Sequence, residues 1–259
     1  MGKMGLLDGK KAVIFGVANE RSIAWAISEA LHAEGAELAF TYAGEILEKR
    51  VRPLAEGIGA KIILPCDVTK DGEIDGVFDA LKKAWGGLDI LIHAIAFAAK
   101  EDLSNPYAQT SRQGFHLALD VSTYSLVALT RKSAELMEGR GGSIVTLTYL
   151  GAEKVIPNYN VMGVAKAALE ASVRYLAYDL GPKNIRVNAI SAGPVKTLAA
   201  AGIAGFKDML HLAAERAPLK RNIEAEEVAR AALFLASDLG SAVTGEVIHV
   251  DAGYNIVGM

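Results

Sequence analysis

Ala12-Val-Ile-Phe-Gly16-Val-Ala-Asn-Glu-Arg-Ser22-Ile23-Ala24 is an apolar run, then a glycine turn, then the opening of a helical pattern. A short apolar run bounded by turn residues reads as a strand buried on both faces, and helical periodicity after it makes the unit a strand, a turn and a helix. Outward from this unit the same alternation recurs along the chain. Strands are predicted at 12–16, 37–42, 61–65, 90–94, 143–149, 186–190 and 246–250, and helices near 22–34, 45–56, 71–85, 115–138, 159–180 and 224–237. That alternation is the mark of a parallel sheet covered on both faces. With right-handed crossovers it gives an α/β, Rossmann-like, doubly wound fold of seven parallel strands, with helices on both faces and ligands beyond the carboxyl ends of the strands.

Two segments depart from the rhythm. Residues 96–110 form a polar, proline-containing connection, and 192–221 form a long insertion beginning Ser191-Ala-Gly-Pro194. Connections of that length in a compact domain are usually functional, so 192–221 is expected to be a helical lid over the site. No Pro/Ser-rich linker or charge block divides the 259 residues, which are read as a single domain spanning 1–259. Hydrophobic residues at 51% and charged residues at 22% are a soluble balance, and a formal net charge of -3 offers nucleic acid no basic footprint. No run of eighteen apolar residues spans a bilayer and no N-terminal apolar run suits a signal peptide, so no membrane partner is expected. The single cysteine, Cys66, excludes an internal disulfide and fits a reducing, cytoplasmic location. The core is large enough to need no metal.

Gly16 lies where a dinucleotide site needs a glycine, because only there can the backbone approach a pyrophosphate at the N-terminus of the next helix. The second and third glycines of the usual fingerprint are missing, and Ser22 either caps the helix or bonds a phosphate. At the end of the second strand Glu45 is the available acid for an adenosine ribose, and no Arg or Lys precedes Lys49, which favours NADH over NADPH. Glu45 is equally readable as a first-turn residue facing solvent. After the third strand Asp67 reads either as an acceptor for an adenine amino group or as a cap before Thr69, with Val68 placed to pack on the ring.

The chemistry lies in Tyr149-Leu-Gly-Ala-Glu-Lys-Val-Ile-Pro-Asn-Tyr159-Asn-Val-Met-Gly-Val-Ala-Lys166. Tyr159 and Lys166 are two helical turns apart, so a helix that includes Tyr159 projects both from one face. A neighbouring ammonium would favour the ionised phenol and ease proton exchange near neutrality.

The pattern of Tyr149, Tyr159 and Lys166, with Ser191-Ala-Gly-Pro-Val-Lys-Thr197 downstream, resembles the short-chain dehydrogenase/reductase superfamily. Within it the chain is similar to the bacterial NADH-dependent enoyl-[acyl-carrier-protein] reductases of type II fatty acid synthesis. The likeness runs from Gly16 to Asp251 and is sharpest at Pro157-Asn-Tyr-Asn-Val-Met-Gly163 and Thr197-Leu-Ala-Ala-Ala-Gly-Ile203. Carbonyl-reducing cousins carry a Tyr four residues before the Lys and a Ser thirteen before that; those positions here are Met162 and Tyr149. The resemblance implies a conjugate reduction in which Tyr159 stabilises the thioester oxygen, Lys166 holds the nicotinamide ribose and Tyr149 supports the acyl site. It implies cofactor contacts at Gly16, Ser22, Ile23, Asp67, Val68, Ile95, Val195, Lys196, Thr197, Leu198 and Ala199, and an acyl contact at Ala98. It implies an enoyl-acyl-carrier-protein substrate and a homotetramer. Ala43 stands where relatives commonly carry Gln, which removes one expected ribose contact.

Overall fold

A computed structural model of the chain describes residues 5–197 and 205–258. Seven strands form one sheet: β1 (Lys11–Phe15), β2 (Glu37–Tyr42), β3 (Ile62–Pro65), β4 (Ile90–His93), β5 (Gly142–Thr148), β6 (Ile185–Ala192) and β7 (Val247–Val250). Every neighbouring pair is parallel, in the order β3-β2-β1-β4-β5-β6-β7. The helices are α1 (Ile23–Ala33), α2 (Glu45–Gly57), α3 (Asp71–Trp85), α4 (Lys100–Ser104), α5 (Arg112–Leu119), α6 (Ser125–Leu136), α7 (Asn160–Leu180), α8 (Phe206–Arg216) and α9 (Ala225–Ala236). The chain moves outward from β1 to β3, then crosses to the other side of β1 at β4. The β1/β4 boundary is therefore the topological switch point, where a crevice opens above the carboxyl ends.

Strand side chains feed two apolar layers. From β1, Ala12 and Ile14 pack with Ile27, Leu31 and Leu235 beneath α1 and α9, while Val13 and Phe15 pack with Phe78, Leu129 and Leu169 beneath α3, α6 and α7. Burial on both faces is why the strands read as continuous apolar runs. Full burial of each aliphatic side chain contributes about 1.5–3 kcal/mol, so these layers set the register and hold the strand ends that carry the site.

Three regions differ from the sequence expectation. The single helix expected at 115–138 is α5 and α6 joined by a π turn, Asp120–Tyr124. The wider turn carries Ser122 and Thr123, with Ser125 next, into the interior: Ser122 Oγ accepts from Phe97 N at 3.0 Å, and Thr123 Oγ1 donates to Ala165 O at 2.8 Å. β6 runs on to Ala192 because both neighbours stay paired, Thr148 with Ser191 and Val250 with Ala192. The polar connection at 96–110 contains α4 and a 3-10 turn, and the insertion at 192–221 contains α8. Among the described residues no helix is long and apolar enough to cross a membrane.

Candidate active site

The parallel register brings Gly16, Ala94, Tyr149 and Gly193 to one end of the sheet, each just past its strand. Two chambers open there. A small one of about 180 Å³ is lined by Gly16, Ser22, Ile23, Ile95, Lys166 and Thr197, among others. A larger apolar one of about 760 Å³ is lined by Ala98, Tyr149, Tyr159, Met162, Val195 and Met209, among others. Ile23, Ala96, Leu147, Thr148 and Thr197 belong to both walls.

Tyr159 is presented by an unusual stretch of backbone. Asn158 and Asn160 both have positive φ, 63° and 39°, a region where Asn is among the few side chains tolerated. Asn160 Nδ2 donates to Leu103 O at 2.7 Å and Asn105 O at 2.8 Å, which ties α7 to the connection after α4. Tyr159 itself is the N-cap residue of α7, in right-handed helical conformation, so it and Lys166 keep nearly the two-turn relation expected of them. The Tyr159 ring meets Tyr149 edge to face, centroids 5.0 Å apart, and its other side lies against Gly151. A Cβ on Gly151 would run into the Tyr159 ring, and one on Gly163 would sit 2.7 Å from Gly151 O. Gly151→Ala should therefore push the ring out of place, lowering kcat about tenfold or more with about 1–3 kcal/mol lost in stability. Steady-state kinetics with a denaturation curve check this; an unchanged kcat would show that the ring position is not critical.

The electrostatics correct one expectation. Lys166 does not lower the phenol's proton affinity: burial, then Tyr149 and Glu170, raise the Tyr159 pKa. Tyr159 is therefore a neutral donor, not a phenolate. Tyr149 is pushed up to about 12, by burial first and then by Tyr254 and Asp251, and its hydroxyl donates to Met209 Sδ on α8 at 3.3 Å. Lys166 is buried and donates to Leu147 O at 2.7 Å, one of its three possible donations. Burial pulls its pKa down to about 8, against the opposing pull of Glu170. Below the sheet end, His93 is fully buried and its pKa falls to about 3, through burial and then Lys166. Ser125 Oγ gives its proton to Val121 O, so His93 Nε2 donates to Ser125 at 2.8 Å and Nδ1 accepts from Thr146 at 2.7 Å.

Gly16, Ser22, Ile23, Ile95, Lys166, Val195, Thr197, Ala98, Tyr149 and Tyr159 thus converge on the two chambers, while Lys196 faces an adjoining groove beside Ser22 and Pro194. Ser22 does not cap α1: its hydroxyl turns back to Asn19 O at 2.6 Å. Asp67 does not cap α3, whose N-cap residue is Lys70; its carboxylate closes a local turn, accepting from Thr69 N and Oγ1 at 3.1 and 2.7 Å, with Lys70 at 3.5 Å. Val68 is buried in the core layer beside α3, and neither Asp67 nor Val68 lines either chamber. Glu45 is exposed at the start of α2. Leu198 and Ala199 lie outside the described residues. Sequence reasoning passed over Thr148, Gly151, Glu170, Phe206 and Met209; of these only Glu170, four residues after Lys166 on the same helix face, had a spacing that could have revealed it.

A glycine turn at the switch point of a doubly wound sheet, beside a buried lysine and a tyrosine pair, defines the class of Rossmann-type oxidoreductases. The chain belongs to the family described as Enoyl-(Acyl carrier protein) reductase, whose model matches residues 16–255. It is 56% identical to the Aquifex aeolicus enoyl-[acyl-carrier-protein] reductase [NADH] FabI over 99% of this chain and 95% of the relative. It is 58% identical to enoyl-[acyl-carrier-protein] reductase [NADH] 1 of Rhizobium meliloti over 98% and 93%. Among solved structures, the Bacillus cereus enoyl-acyl carrier protein reductase with NADP+ and indole naphthyridinone superposes with a TM-score of 0.96 at 54% identity, covering 99% of this chain and 100% of that one. The Anaplasma phagocytophilum reductase in complex with NAD gives 0.95 at 52% identity, covering 100% and 98%.

Proposed function

We propose that the protein reduces the carbon–carbon double bond of trans-2-enoyl thioesters, carried on acyl carrier protein, with NADH in type II fatty acid biosynthesis. The observation that carries this reading is the Tyr159 hydroxyl. It lies at the wall of a large apolar chamber and, among the described residues, has no hydrogen-bond partner. An apolar chamber accepts an acyl chain, and a neutral donor at its wall meets the oxygen on which charge develops.

The small chamber would hold the pyrophosphate and nicotinamide end of a dinucleotide. Gly16 has φ 106° and its missing Cβ is the space that Ala94 O fills, so the turn is built for close backbone approach, with α1 beginning just beyond. Held beside Gly16, Ser22, Ile23 and Lys166, NADH would supply a hydride to the β-carbon and become NAD+. Negative charge would gather on the thioester oxygen, where the Tyr159 O–H would hydrogen-bond to it, and a proton taken from solvent at the α-carbon would complete the saturated thioester. Lys166, anchored by Leu147 O, would hold the nicotinamide ribose with its remaining donors. Tyr149 lines the same wall beside Tyr159, and α8 serves as a lid there, its Met209 resting on Tyr149.

The test pairs crotonyl and acetoacetyl thioesters with NADH and NADPH. Oxidation of NADH by the crotonyl thioester is expected, and turnover of the acetoacetyl thioester alone would sink the reading. A homotetramer is supported by Tyr175 and Tyr178, 75% and 84% exposed on α7; a sedimentation mass of one chain would refute it. A cytoplasmic location is supported by the single cysteine, free and buried, which forms no internal disulfide, and recovery in the soluble fraction of a cell lysate checks it.

A further inference from the structure

The mechanism leaves three buried carboxyl groups unused among the described residues, Asp102, Glu170 and Asp251, and Glu170 is the one that acts on Lys166. Glu170 is 7% exposed, one helical turn beyond Lys166 on α7. The two side chains grip consecutive residues at the end of β5: Lys166 Nζ donates to Leu147 O at 2.7 Å, and Glu170 Oε1 accepts from Thr148 Oγ1 at 2.6 Å. Leu147 and Thr148 form the wall shared by both chambers, and Tyr149 follows immediately. Among the described residues Glu170 closes no ion pair with Lys166, so the two act on each other across the helix face, not through a contact.

We propose that Glu170 is a positioning residue for the reduction: with Thr148 it fastens the end of β5 to α7, and it is the buried negative charge against which Lys166 keeps its proton. The role rests on the reductase reading above. Among the described residues, Glu170 is the one charge that acts on Lys166 to hold the ammonium. His93, on β4, is neutral, as its two hydroxyl partners require. Glu153, before α7, and His249, on β7, pair with each other at 3.2 Å and act on Glu170, as does Arg174 on α7. Burial first, and Glu153 after it, raise the Glu170 pKa, while Thr148, His249 and Arg174 oppose that rise.

The sign follows from Lys166, whose ammonium keeps two charged N–H donors beside the Leu147 bond, where the neutral amine would keep one, uncharged and weaker. Its pKa of about 8 already lies near the working range. Removal of an opposite charge destabilises the ammonium and moves its loss to lower pH.

The test is Glu170→Gln, whose amide oxygen still accepts from Thr148 and so preserves the fastening. With [ε-13C]lysine, and Lys166 assigned by its loss in Lys166→Met, the Lys166 titration in the cofactor-free protein is expected to fall by about one pH unit. Correspondingly, kcat/KM for crotonyl thioester should drop about fivefold at pH 8 and stay near the parent value at pH 6.5. Glu170→Asp, which keeps the charge, should restore the profile. An unmoved Lys166 titration, or an equal loss at both pH values, would overturn the proposal. If the parent protein reduces no enoyl thioester, the reductase reading fails, while the titration still decides whether Glu170 supports Lys166.

Discussion

Tyr159→Phe is expected to lower kcat/KM for enoyl thioesters by about 10²–10³-fold while NADH binding and thermal stability stay near the parent values. The ring packs between Tyr149 and Gly151, and phenylalanine keeps that packing whole. What it removes is one O–H donor at an apolar wall. There a hydrogen bond to a developing oxyanion is worth far more than in water, because no solvent competes for the charge. The raised pKa of Tyr159 makes the loss specific: the group acts as a neutral donor throughout the working range. Tyr149→Phe should cost much less, since the Tyr149 hydroxyl is engaged with Met209 on α8. Steady-state kinetics and NADH fluorescence titration on both variants decide the matter. Retention of more than a tenth of parental kcat/KM in Tyr159→Phe would remove Tyr159 from the chemistry.

Much of this site could be read before any coordinates, for a physical reason. Strands buried on both faces leave unbroken apolar runs, and a parallel sheet places every strand's carboxyl end on one side. Locating 12–16, 90–94, 143–149 and 186–190 was therefore enough to bring Gly16, Ile95, Tyr149 and Val195 together. Spacing on α7 carried Tyr159 and Lys166 in the same way. What the sequence hid depends on local phase and on contacts between elements. One extra residue in the π turn at 120–124 shifts the helical phase without breaking it, so Ser122 and Ser125 pass for ordinary helix residues. The ionisation of Tyr159 depends on burial, which overrides a nearby ammonium and was invisible in a seven-residue spacing. Asp67 illustrates the opposite limit: an Asp two residues before a Thr is as ready to close a local turn as to bind a ligand, and spacing does not reveal the bonds it makes to Thr69.

Gly16→Ala is expected to abolish measurable NADH binding and to cost about 2–5 kcal/mol of stability, a larger effect than its single methyl group suggests. Two independent costs meet at this position. A non-glycine residue is strained at φ 106°. The added Cβ would also run into the Ala94 carbonyl, and that carbonyl is backbone at the end of β4, fixed by the pairing of Phe15 with His93 and by the Ala94 N–H bond to Phe15 O at 2.9 Å. A flexible side chain could swing aside, but a strand end held in a sheet cannot, so β1 and β4 must part or the turn must rebuild. Either outcome moves the floor of the small chamber where the pyrophosphate would approach, and removes the reason a glycine stands there. Urea denaturation measures the stability loss, and NADH fluorescence on the folded fraction measures the binding loss. A folded Gly16→Ala protein that binds NADH within threefold of the parent would mean that the turn after β1 does not carry the cofactor, and the small chamber would have to be assigned to something else.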